Sequence, residues 1–433
     1  MTHVAFGTDG IRGRAGTFPC TVEVGLQVGR AAARLARALG GDRVLIGRDT
    51  RPSGPALEAA VAAGAAAQGA RVLLAGILPT SGVAVALHAG LGDVGVVLTA
   101  SHNPAHDNGF KVLGPRGRKL DDDEQRRVEA WIAESPEGGA PPGGVEAVAE
   151  QATEAWWRGV RAAAPDPELL RGRRIAIDLA HGALAPHADR LRATFPADWV
   201  VVGAGEGTIN DAVGSEHLAS LQRAVREHGC EAGLAFDGDA DRCRVVDERG
   251  EIVPGDAVAW FLARARGART LAVTVMSSGA LEASLEGVRV LRTPVGDRHL
   301  REAIDAQGAD LGSEESGHVL FADFPAGDGL VTGLRLLGAA LPQGSLSAAF
   351  SGFRPLPRRL EKVRVARRPP LDTVAELREA ASAGEAALGA HGRVYLRYSG
   401  TEPVLRVLVE GADAATVDAV ADRVVEVAER VLG

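Results

Sequence analysis

Apolar runs and amphipathic segments alternate along most of the chain. Continuous β-branched and aliphatic runs predict buried strands, and apolar residues that recur every three or four positions predict helices. The first block contains, in order, a helix at 21–39, a strand at 43–47, a helix at 55–68, a strand at 71–77, a helix at 81–89 and a strand at 94–98. Short strands that alternate with helices favour a mostly parallel sheet covered by helices.

Two further blocks show the same rhythm, although no sequence repeat is evident. The second block begins at RRIAIDLA (173–180) and ends in AGLAFDGDADRCRVV (232–246). The third opens at EIVPGD, after a predicted hairpin turn at 247–250, and contains helices at 256–266, 279–286 and 329–341, strands at 270–275 and 288–293, and the segment LGSEESGHVLF (311–321). Because each block carries one polar, glycine-containing loop, we predict three related mixed α/β domains.

The pattern changes after Pro355 and Pro357. Strands at 361–366, 393–397 and 404–410 and helices at 372–388 and 413–431 follow, an order typical of a small α+β domain. An earlier linker is predicted at the Pro- and Gly-rich segment 134–145. The predicted class is therefore α/β, with a smaller C-terminal α+β domain. The predicted domain ranges are 1–145, 146–253, 254–357 and 358–433.

Composition narrows the functional classes. The chain has 433 residues, 46% of them hydrophobic, and a net charge of −8, so it offers no general basic field for nucleic acid or an anionic membrane. No apolar stretch approaches the roughly 20 residues that span a bilayer, and the N-terminus lacks a signal-peptide pattern. Three scattered cysteines, Cys20, Cys230 and Cys243, are typical of a reducing compartment. We therefore expect a cytoplasmic protein.

A serine loop follows the buried strand predicted at 94–98. The sequence TASHNP (99–104) places Ser101 and His102 on a turn, in which Pro104 fixes its own φ and pushes Asn103 towards extended geometry. Loops at the carboxyl ends of buried strands are where α/β proteins place ligands and chemistry. An ordinary polar turn is the alternative for this loop taken alone.

Three aspartates at alternate positions follow the last apolar run of the second block. In AFDGDADR they are Asp237, Asp239 and Asp241, and Arg242 comes directly after them. Carboxylates so close together repel one another unless a cation lies between them, and hard oxygen ligands suit Mg²⁺. A solvated acidic turn is the alternative. An EF-hand is disfavoured, because no glutamate occupies the twelfth loop position and the flanking segments are strands.

Two weaker motifs carry further polar side chains. FGTDGIRG (6–13) presents Arg12 between glycines that allow close approach to a ligand, although a flexible turn has the same composition. GSEESGH (312–318) places Glu314, Ser316 and His318 at alternate positions, so all three can face one ligand. Any exposed strand shows such alternation too.

The motif RYSGTEP (397–403) has the chemistry of a phosphate cradle. Two arginines, two hydroxyls and a glycine that frees backbone N–H groups are suited to an anion, and a structural turn is the even alternative. The residues concerned are Arg397, Ser399, Gly400, Thr401 and Arg406.

These motifs, in this order and at this spacing along the whole chain, resemble those of the α-D-phosphohexomutases. The phrases IGRDTRPSG (46–54), TVMSSGAL (274–281), PVGDR (294–298) and GDGLVTGL (327–334) fit as well. The opening motif, AFDGDADR and TVMS are most similar to the branch that acts on glucosamine phosphates. The resemblance implies four domains around one central cleft, with a mobile fourth domain.

The resemblance also implies roles for individual residues. Ser101 corresponds to the serine that carries phosphate, and Asp237, Asp239 and Asp241, with that serine, to the Mg²⁺ ligands. The loop that reads the sugar hydroxyls corresponds to Glu314, Ser316 and His318. The site for the substrate's non-reacting phosphate corresponds to Arg397, Ser399, Gly400, Thr401 and Arg406. The positions around the phosphoserine correspond to Arg12, His102, Lys111 and Arg242. Glu315 departs from the usual Gln or Met, so the resemblance leaves open which sugar is the substrate. Ser313 and Tyr398 replace a usual Gly and Pro.

The implied reaction interconverts glucosamine 6-phosphate and glucosamine 1-phosphate through phosphoserine 101 and a bound 1,6-bisphosphate, in amino-sugar metabolism that supplies cell-wall precursors. Lys111 or His102 would accept the proton of the attacking hydroxyl. A phosphomannomutase/phosphoglucomutase is the alternative within the family. A magnesium-dependent sugar phosphatase is disfavoured, because a phosphatase needs no second phosphate cradle. A non-catalytic sugar-phosphate-binding protein is disfavoured, because the chain keeps every motif position that matters for the chemistry. A homodimer remains open.

Overall fold

The computed structural model describes residues 4–7, 9–134, 141–399 and 403–433. The predicted site residues Gly400 and Thr401, and half of the linker predicted at 134–145, lie outside these ranges. Among the described residues, no helix combines the length and apolar character needed to cross a membrane.

The first sheet has six strands in the order β1-β5-β4-β2-β3-β6. Its elements are β1 (Ile11–Arg14), α1 (Val22–Ala38), β2 (Arg43–Arg48), α2 (Gly54–Ala67), β3 (Arg71–Ile77), α3 (Thr80–His88), β4 (Val94–Leu98), β5 (Asp107–Leu113), α4 (Asp122–Ala133), β6 (Val145–Ala147) and α5 (Ala149–Ala163). Helices α1 and α2 pack so closely that a Cβ on Gly29 would lie 2.0 Å from the carbonyl oxygen of Val61, and one on Gly64 2.0 Å from that of Leu26. Only glycine fits at these two positions without moving a helix.

The second sheet has five strands in the order β11-β10-β9-β7-β8. Its elements are β7 (Arg174–Asp178), α6 (Ala188–Thr194), β8 (Asp198–Val202), α7 (Ala219–His228), β9 (Ala232–Phe236), β10 (Cys243–Asp247) and β11 (Ile252–Val253). Strands β10 and β11 pair antiparallel, so the hairpin turn predicted at 247–250 is confirmed.

The third sheet has four strands in the order β13-β12-β14-β15. Its elements are α8 (Gly255–Ala265), β12 (Thr270–Thr274), α9 (Ala280–Ser284), β13 (Arg289–Thr293), α10 (Asp297–Gln307), β14 (Leu311–Ser313), β15 (Val319–Phe321), α11 (Gly329–Ala340) and α12 (Leu346–Phe350). Helices α10 and α12 are not among the helices predicted for this block. The signals of α10 are the buried residues Leu300, Ala303 and Ile304 at helical spacing and the left-handed Gly308 that ends it.

The three sheets share one topology. The orders β5-β4-β2-β3, β10-β9-β7-β8 and β15-β14-β12-β13 are the same pattern, in which three parallel strands are followed by one antiparallel return strand. In each sheet, the chain reverses between the last parallel strand and the return strand. These three reversals contain Ser101, the three aspartates and the segment 314–318, respectively. The predicted relationship among the three domains is thus confirmed by strand order.

The C-terminal unit is a three-stranded antiparallel sheet in the order β16-β18-β17, covered on one face by two helices. Its elements are β16 (Arg358–Arg364), α13 (Ala375–Leu388), β17 (Arg393–Tyr398), β18 (Val404–Glu410) and α14 (Ala414–Leu432). Strand β16 begins three residues before the predicted start at 361. The predicted fold class, three mixed α/β domains and a smaller α+β domain, is confirmed.

The predicted boundary after residue 145 falls inside β6, which pairs with β3 of the first sheet. Helix α5 also contacts α3 and β3, so the chain leaves the first domain later than its Pro/Gly-rich composition suggests. Each of the other three sheets lies within one predicted range, and those ranges remain predictions.

One apolar core extends through the first three domains, whereas the fourth has its own. The largest cluster includes Leu45, Trp156, Leu234, Leu271 and Phe353. A separate cluster in the C-terminal domain joins strands β16 and β18 to helix α14. The fourth domain is therefore not part of the shared core, and its contacts with the third include a buried polar junction.

Glu410 is the centre of that junction. Its fully buried carboxylate accepts hydrogen bonds from Ser278 Oγ at 2.5 Å, Gly279 N at 3.0 Å and Arg393 Nε at 2.8 Å. Arg393 also donates to the carbonyl oxygens of Val275 and Ser277. A charged pair from the fourth domain thus docks on the turn after β12.

We expect Glu410→Ala to lower the free energy of unfolding of the C-terminal domain by about 3 kcal/mol, because Arg393 and Ser278 lose a buried partner. Hydrogen exchange of the β16–β18 amides in increasing urea measures this change. The control is Glu426→Ala, which removes an exposed ion pair with Arg423 and should cost under about 0.5 kcal/mol. Equal effects of the two substitutions would contradict the role of the junction.

Candidate active site

Ser101 occupies the chain reversal after β4. It has a left-handed φ of 52°, which only glycine adopts readily, and it is almost fully buried. Its backbone N–H donates to Thr99 Oγ1 at 2.9 Å, and its hydroxyl donates to Asp237 Oδ2 at 2.6 Å. His102 Nδ1 lies 3.2 Å from the same hydroxyl oxygen. This backbone therefore points the hydroxyl away from its own sheet and towards the second domain.

Arg51 binds the backbone of the loop that carries Ser101. It is completely buried, and its guanidinium donates to the carbonyl oxygens of Ser101, Asn103, Pro104 and Asp107 at 2.5–2.8 Å. Its Nε donates to Asp49 Oδ2 at 2.9 Å, and burial raises the pKa of Asp49 to about 6 despite that arginine. One planar cation thus binds four carbonyl oxygens of the loop at once.

The three aspartates follow β9 and converge. Asp237, Asp239 and Asp241 are all buried and each offers an oxygen within 4.8 Å of the others. Asp239 Oδ1 is buried and has no hydrogen-bond partner within the described ranges. Burial, with the charges of Asp241 and Asp239, raises the pKa of Asp237 well above its usual range. Hard oxygen donors, an orphaned buried oxygen and mutual repulsion fit a metal ion.

Lys111 neutralises part of this charge. Its Nζ lies 2.7 Å from Asp239 Oδ2, 3.1 Å from Asp241 Oδ2 and 2.8 Å from Asp9 Oδ2. Burial lowers the pKa of Lys111, but these carboxylates outweigh burial and hold it well above its usual range. By contrast, burial and the nearby Arg242 lower the pKa of His102.

Six ionisable groups form a closed ring of alternating charge across three domains. Lys111 contacts Asp9 and Asp241, Lys119 contacts Asp9 and reaches Asp297 at 2.6 Å, and His318 lies 3.5 Å from both Asp241 and Asp297. Burial lowers the pKa of His318, but Asp241 and Asp297 outweigh it and raise that pKa to about 9. The ring fastens the first, second and third domains at the floor of one cleft.

That cleft has a volume of about 490 Å³. Its lining includes Arg12, Arg242, Asp241, Glu314 and His318, so three of the predicted site motifs contribute to one cavity. Arg242 also donates its backbone N–H to Asp237 Oδ1 at 3.1 Å. The lining carries both carboxylates and cations, and Arg12 and Arg242 are its guanidinium donors for an anion.

The reversal between β14 and β15 carries the predicted sugar-reading residues. Glu314 Oε1 accepts from Gly296 N at 3.0 Å, at the start of α10, and Ser316 Oγ lies 3.4 Å from Glu314 Oε2. Glu315 forms a two-contact ion pair with Arg358, one contact being 2.9 Å between Nη1 and Oε2. Its carboxylate therefore links this loop to the first residue of β16.

In the C-terminal sheet, Arg397 of β17 and Arg406 of β18 are direct cross-strand partners. Ser399 follows β17, where its backbone N–H donates to the carbonyl of Val404 at 2.9 Å and its carbonyl accepts from Arg368 at 3.2 Å. The structure thus brings together the described members of the predicted cradle.

Sequence reasoning missed Asp9, Arg51, Lys119 and Asp297 as site residues. Asp9 and Asp297 stand inside quoted motifs, and Arg51 stands in RDTRPSG, but single charged residues carry no signal that separates a buried network from a solvated turn. Lys119 has one usable signal, because it is one of three lysines in an arginine-rich chain.

The chain matches the four domains described for phosphoglucomutase/phosphomannomutase. Alpha/beta/alpha domain I matches residues 3–138, domain II 160–250, domain III 254–355 and the C-terminal domain 360–427. Together these matches span nearly the whole chain.

Individual relatives agree. A phosphoglucosamine mutase of Paracoccus denitrificans is 40% identical over 99% of this chain and 100% of its own length. A crystal structure of a phosphoglucomutase/phosphomannomutase family protein from Burkholderia thailandensis is 26% identical, with a TM-score of 0.81 over 98% of this chain and 97% of that one. An N-acetylphosphoglucosamine mutase of Aspergillus fumigatus, in complex with GlcNAc-6P and magnesium, has a TM-score of 0.68 at 19% identity over 99% and 96% of the two chains and shares the fold.

We expect Arg51→Lys to loosen the serine loop, because an ammonium group has three donors and cannot serve Asp49 and four carbonyls. The substitution should destabilise the protein by roughly 1–3 kcal/mol and speed amide exchange at residues 101–107. The control is Arg48→Lys at the end of β2, three residues before Arg51, where Glu58 is the partner. Unchanged exchange in Arg51→Lys would contradict this assignment.

Proposed function

The chain belongs to the phosphoglucomutase/phosphomannomutase family and is a phosphohexomutase, and from that premise we propose that it interconverts glucosamine 6-phosphate and glucosamine 1-phosphate. The observation that carries the proposal is the Ser101 hydroxyl, held by a left-handed backbone against the buried aspartates at 2.6 Å. The choice of glucosamine is supported by the relatives of that name, at about 40% identity over the full chain.

In the proposed cycle, Ser101 carries a phosphoryl group on Oγ. The free hydroxyl of the bound sugar phosphate attacks the phosphorus, and its proton passes to a base. As the new P–O bond forms, the bond between phosphorus and Oγ breaks, and that base returns a proton to Oγ, so Ser101 leaves as a hydroxyl. The resulting 1,6-bisphosphate reorients in the cleft, so that its other phosphoryl group faces Ser101. Ser101 then accepts that phosphoryl group. Arg12 and Arg242 line the cleft and stabilise the charge on the phosphoryl oxygens.

The proton acceptor is His102 or Lys111. His102 Nδ1 lies 3.2 Å from Ser101 Oγ, which places a base beside the transferring group. Lys111 is held by three carboxylates and serves in this structure to balance their charge.

For the metal, we propose Mg²⁺ held by Asp237, Asp239 and Asp241, with the phosphate of Ser101 as a further ligand. When bound, it supplies positive charge opposite the transferring phosphoryl group. The orphaned Asp239 Oδ1 and the absence of a nitrogen or sulfur donor among the three residues support a hard cation.

Two sites would hold the rest of the substrate. Glu314, Ser316 and His318 would read the sugar hydroxyls, and Arg397, Ser399, Gly400, Thr401 and Arg406 would hold the non-reacting phosphate. Because the C-terminal domain has its own core, it can adjust its position as either end of the sugar presents its phosphate. This second anion site supports a mutase over a phosphatase.

Glu315 does not argue against glucosamine. Its carboxylate is engaged by Arg358, so in this arrangement it does not enter the cleft as a sugar ligand. A phosphomannomutase/phosphoglucomutase remains the alternative that the assay below separates. A cytoplasmic location, a homodimer and activation by a sugar 1,6-bisphosphate stay predictions.

We expect purified protein, primed with a sugar 1,6-bisphosphate, to convert glucosamine 1-phosphate with a kcat/KM at least about tenfold above those for glucose and mannose 1-phosphates, since wrong hydroxyl contacts leave polar groups unpaired. A coupled assay measures all three. Ser101→Ala should lose the activity while retaining its thermal midpoint, and Ser351→Ala, on an exposed turn, is the control. Preference for mannose or glucose 1-phosphate would contradict the proposed substrate.

We expect a strong chelator to abolish turnover and added Mg²⁺ to restore it. Asp239→Asn should raise the Mg²⁺ concentration for half-maximal activity by roughly tenfold or more, because a charged hard ligand is lost. Calorimetric titration of the full chain with Mg²⁺ checks the binding directly. Asp247→Asn, at the end of β10 outside the triad, should leave both values unchanged. Full activity in the chelator would contradict the metal assignment.

A further inference from the structure

The face of the C-terminal sheet opposite its helices carries charges in rows. Successive residues of a strand alternate between faces, and Val363, Leu405, Val407 and Val409 belong to the core on the helix side. Lys362, Arg406 and Arg397 therefore lie on the open face. The register pairs Lys362 with Arg406 and Arg406 with Arg397, so three cations form one row across three strands.

The charge balance of this row differs from that of the row that contains Glu410, which contacts the third domain. There, Arg358 and Arg393 flank Glu410, and the carboxylate between them balances their charge. In the row of Lys362, no carboxylate is paired with any of the three cations within the described parts of the chain. The Nε atoms of Arg397 and Arg406 are buried without a hydrogen-bond partner there.

Like charges directly opposite one another on neighbouring strands destabilise a sheet. Neighbouring strands lie about 4.8 Å apart, so the central Arg406 is within reach of a flexible side chain from either edge strand. An anion above Arg406 would relieve the repulsion of the whole row and satisfy both unpartnered guanidinium nitrogens. A phosphate monoester dianion has the charge and the acceptors for three cationic donors.

We propose that Lys362 is a third cation of the site for the non-reacting phosphate, beside Arg406 and Arg397. The inference rests on the proposed function and adds a positioning residue from the edge strand β16. Lys362 is exposed in this structure, and it supplies a mobile point charge that can follow the phosphate of either the 1- or the 6-position. The paired arginines supply directional hydrogen bonds.

An edge-strand lysine has a second established use, which is to block pairing with another sheet. That use requires no ligand, so binding measurements separate the two roles. Because Lys362 is exposed, replacing it should not disturb the fold.

The experiment measures the Kd of glucose 1,6-bisphosphate by calorimetry, on the full chain with Mg²⁺ and in a Ser101→Ala background that cannot accept phosphate. Lys362→Met should weaken binding roughly three- to tenfold, and Lys362→Arg should retain most of it. The matched control is Arg423→Met, which removes one positive charge from the helix side of the same domain. It should leave the Kd within about twofold, because Arg423 is exposed, pairs with Glu426 and lies on the other side of the sheet, where solvent screens its charge.

An unchanged Kd in Lys362→Met would overturn the inference, as would an equal loss in Arg423→Met or in Lys362→Arg. The proposed substrate is tested separately by the turnover of glucosamine 1-phosphate. Turnover of another hexose phosphate in its place would contradict that substrate and leave this comparison intact, because every hexose bisphosphate carries the same phosphate groups.

Discussion

Three buried carboxylates within 4.8 Å of one another are the constraint on which the site depends. Carboxylates that close cannot all remain ionised away from water unless cations neutralise them. Lys111 from the first domain, Arg242 from the second and His318 from the third surround them. Lys111, Asp241 and His318 also belong to the alternating ring, which Asp9, Lys119 and Asp297 complete. Cations from the neighbouring domains thus relieve the repulsion among the aspartates, and these ion pairs hold three domains around the cleft.

The repeated topology explains how the loops meet. In each of the first three sheets, the chain reverses direction after the last parallel strand, and that reversal carries the polar residues of the domain. A continuous core holds these three units together, so the serine and the aspartates keep hydrogen-bond distance. The fourth domain has its own core and meets the third through the Glu410 junction and the pair of Glu315 with Arg358. A serine and aspartate site on the shared core and the proposed phosphate site on a separate core would suit the proposed substrate, which must present both of its ends.

Most strands and helices could be predicted from the sequence, because apolar periodicity records which face of an element is buried. Strand β4, for example, is an apolar run that is buried throughout. The missed helix α10 and the boundary placed inside β6 have physical reasons. Helix α10 is mostly polar with a narrow apolar stripe, and β6 is an exposed edge strand of three residues, attached to the first sheet by backbone pairing and by an ion pair between Glu146 and Arg71.

The sequence by itself determined the chemistry of the loops, since a serine turn, an aspartate triad and a paired-arginine motif each require particular side chains at particular spacing. Only the tertiary structure decided which charges neutralise which. Arg51 holds four carbonyls from 50 to 56 positions away, Lys119 reaches Asp297 across 178 positions, and Lys362 joins the arginine row through strand register. Such contacts leave no local pattern, because electrostatic and hydrogen-bond energies depend on distance in space and not on separation along the chain.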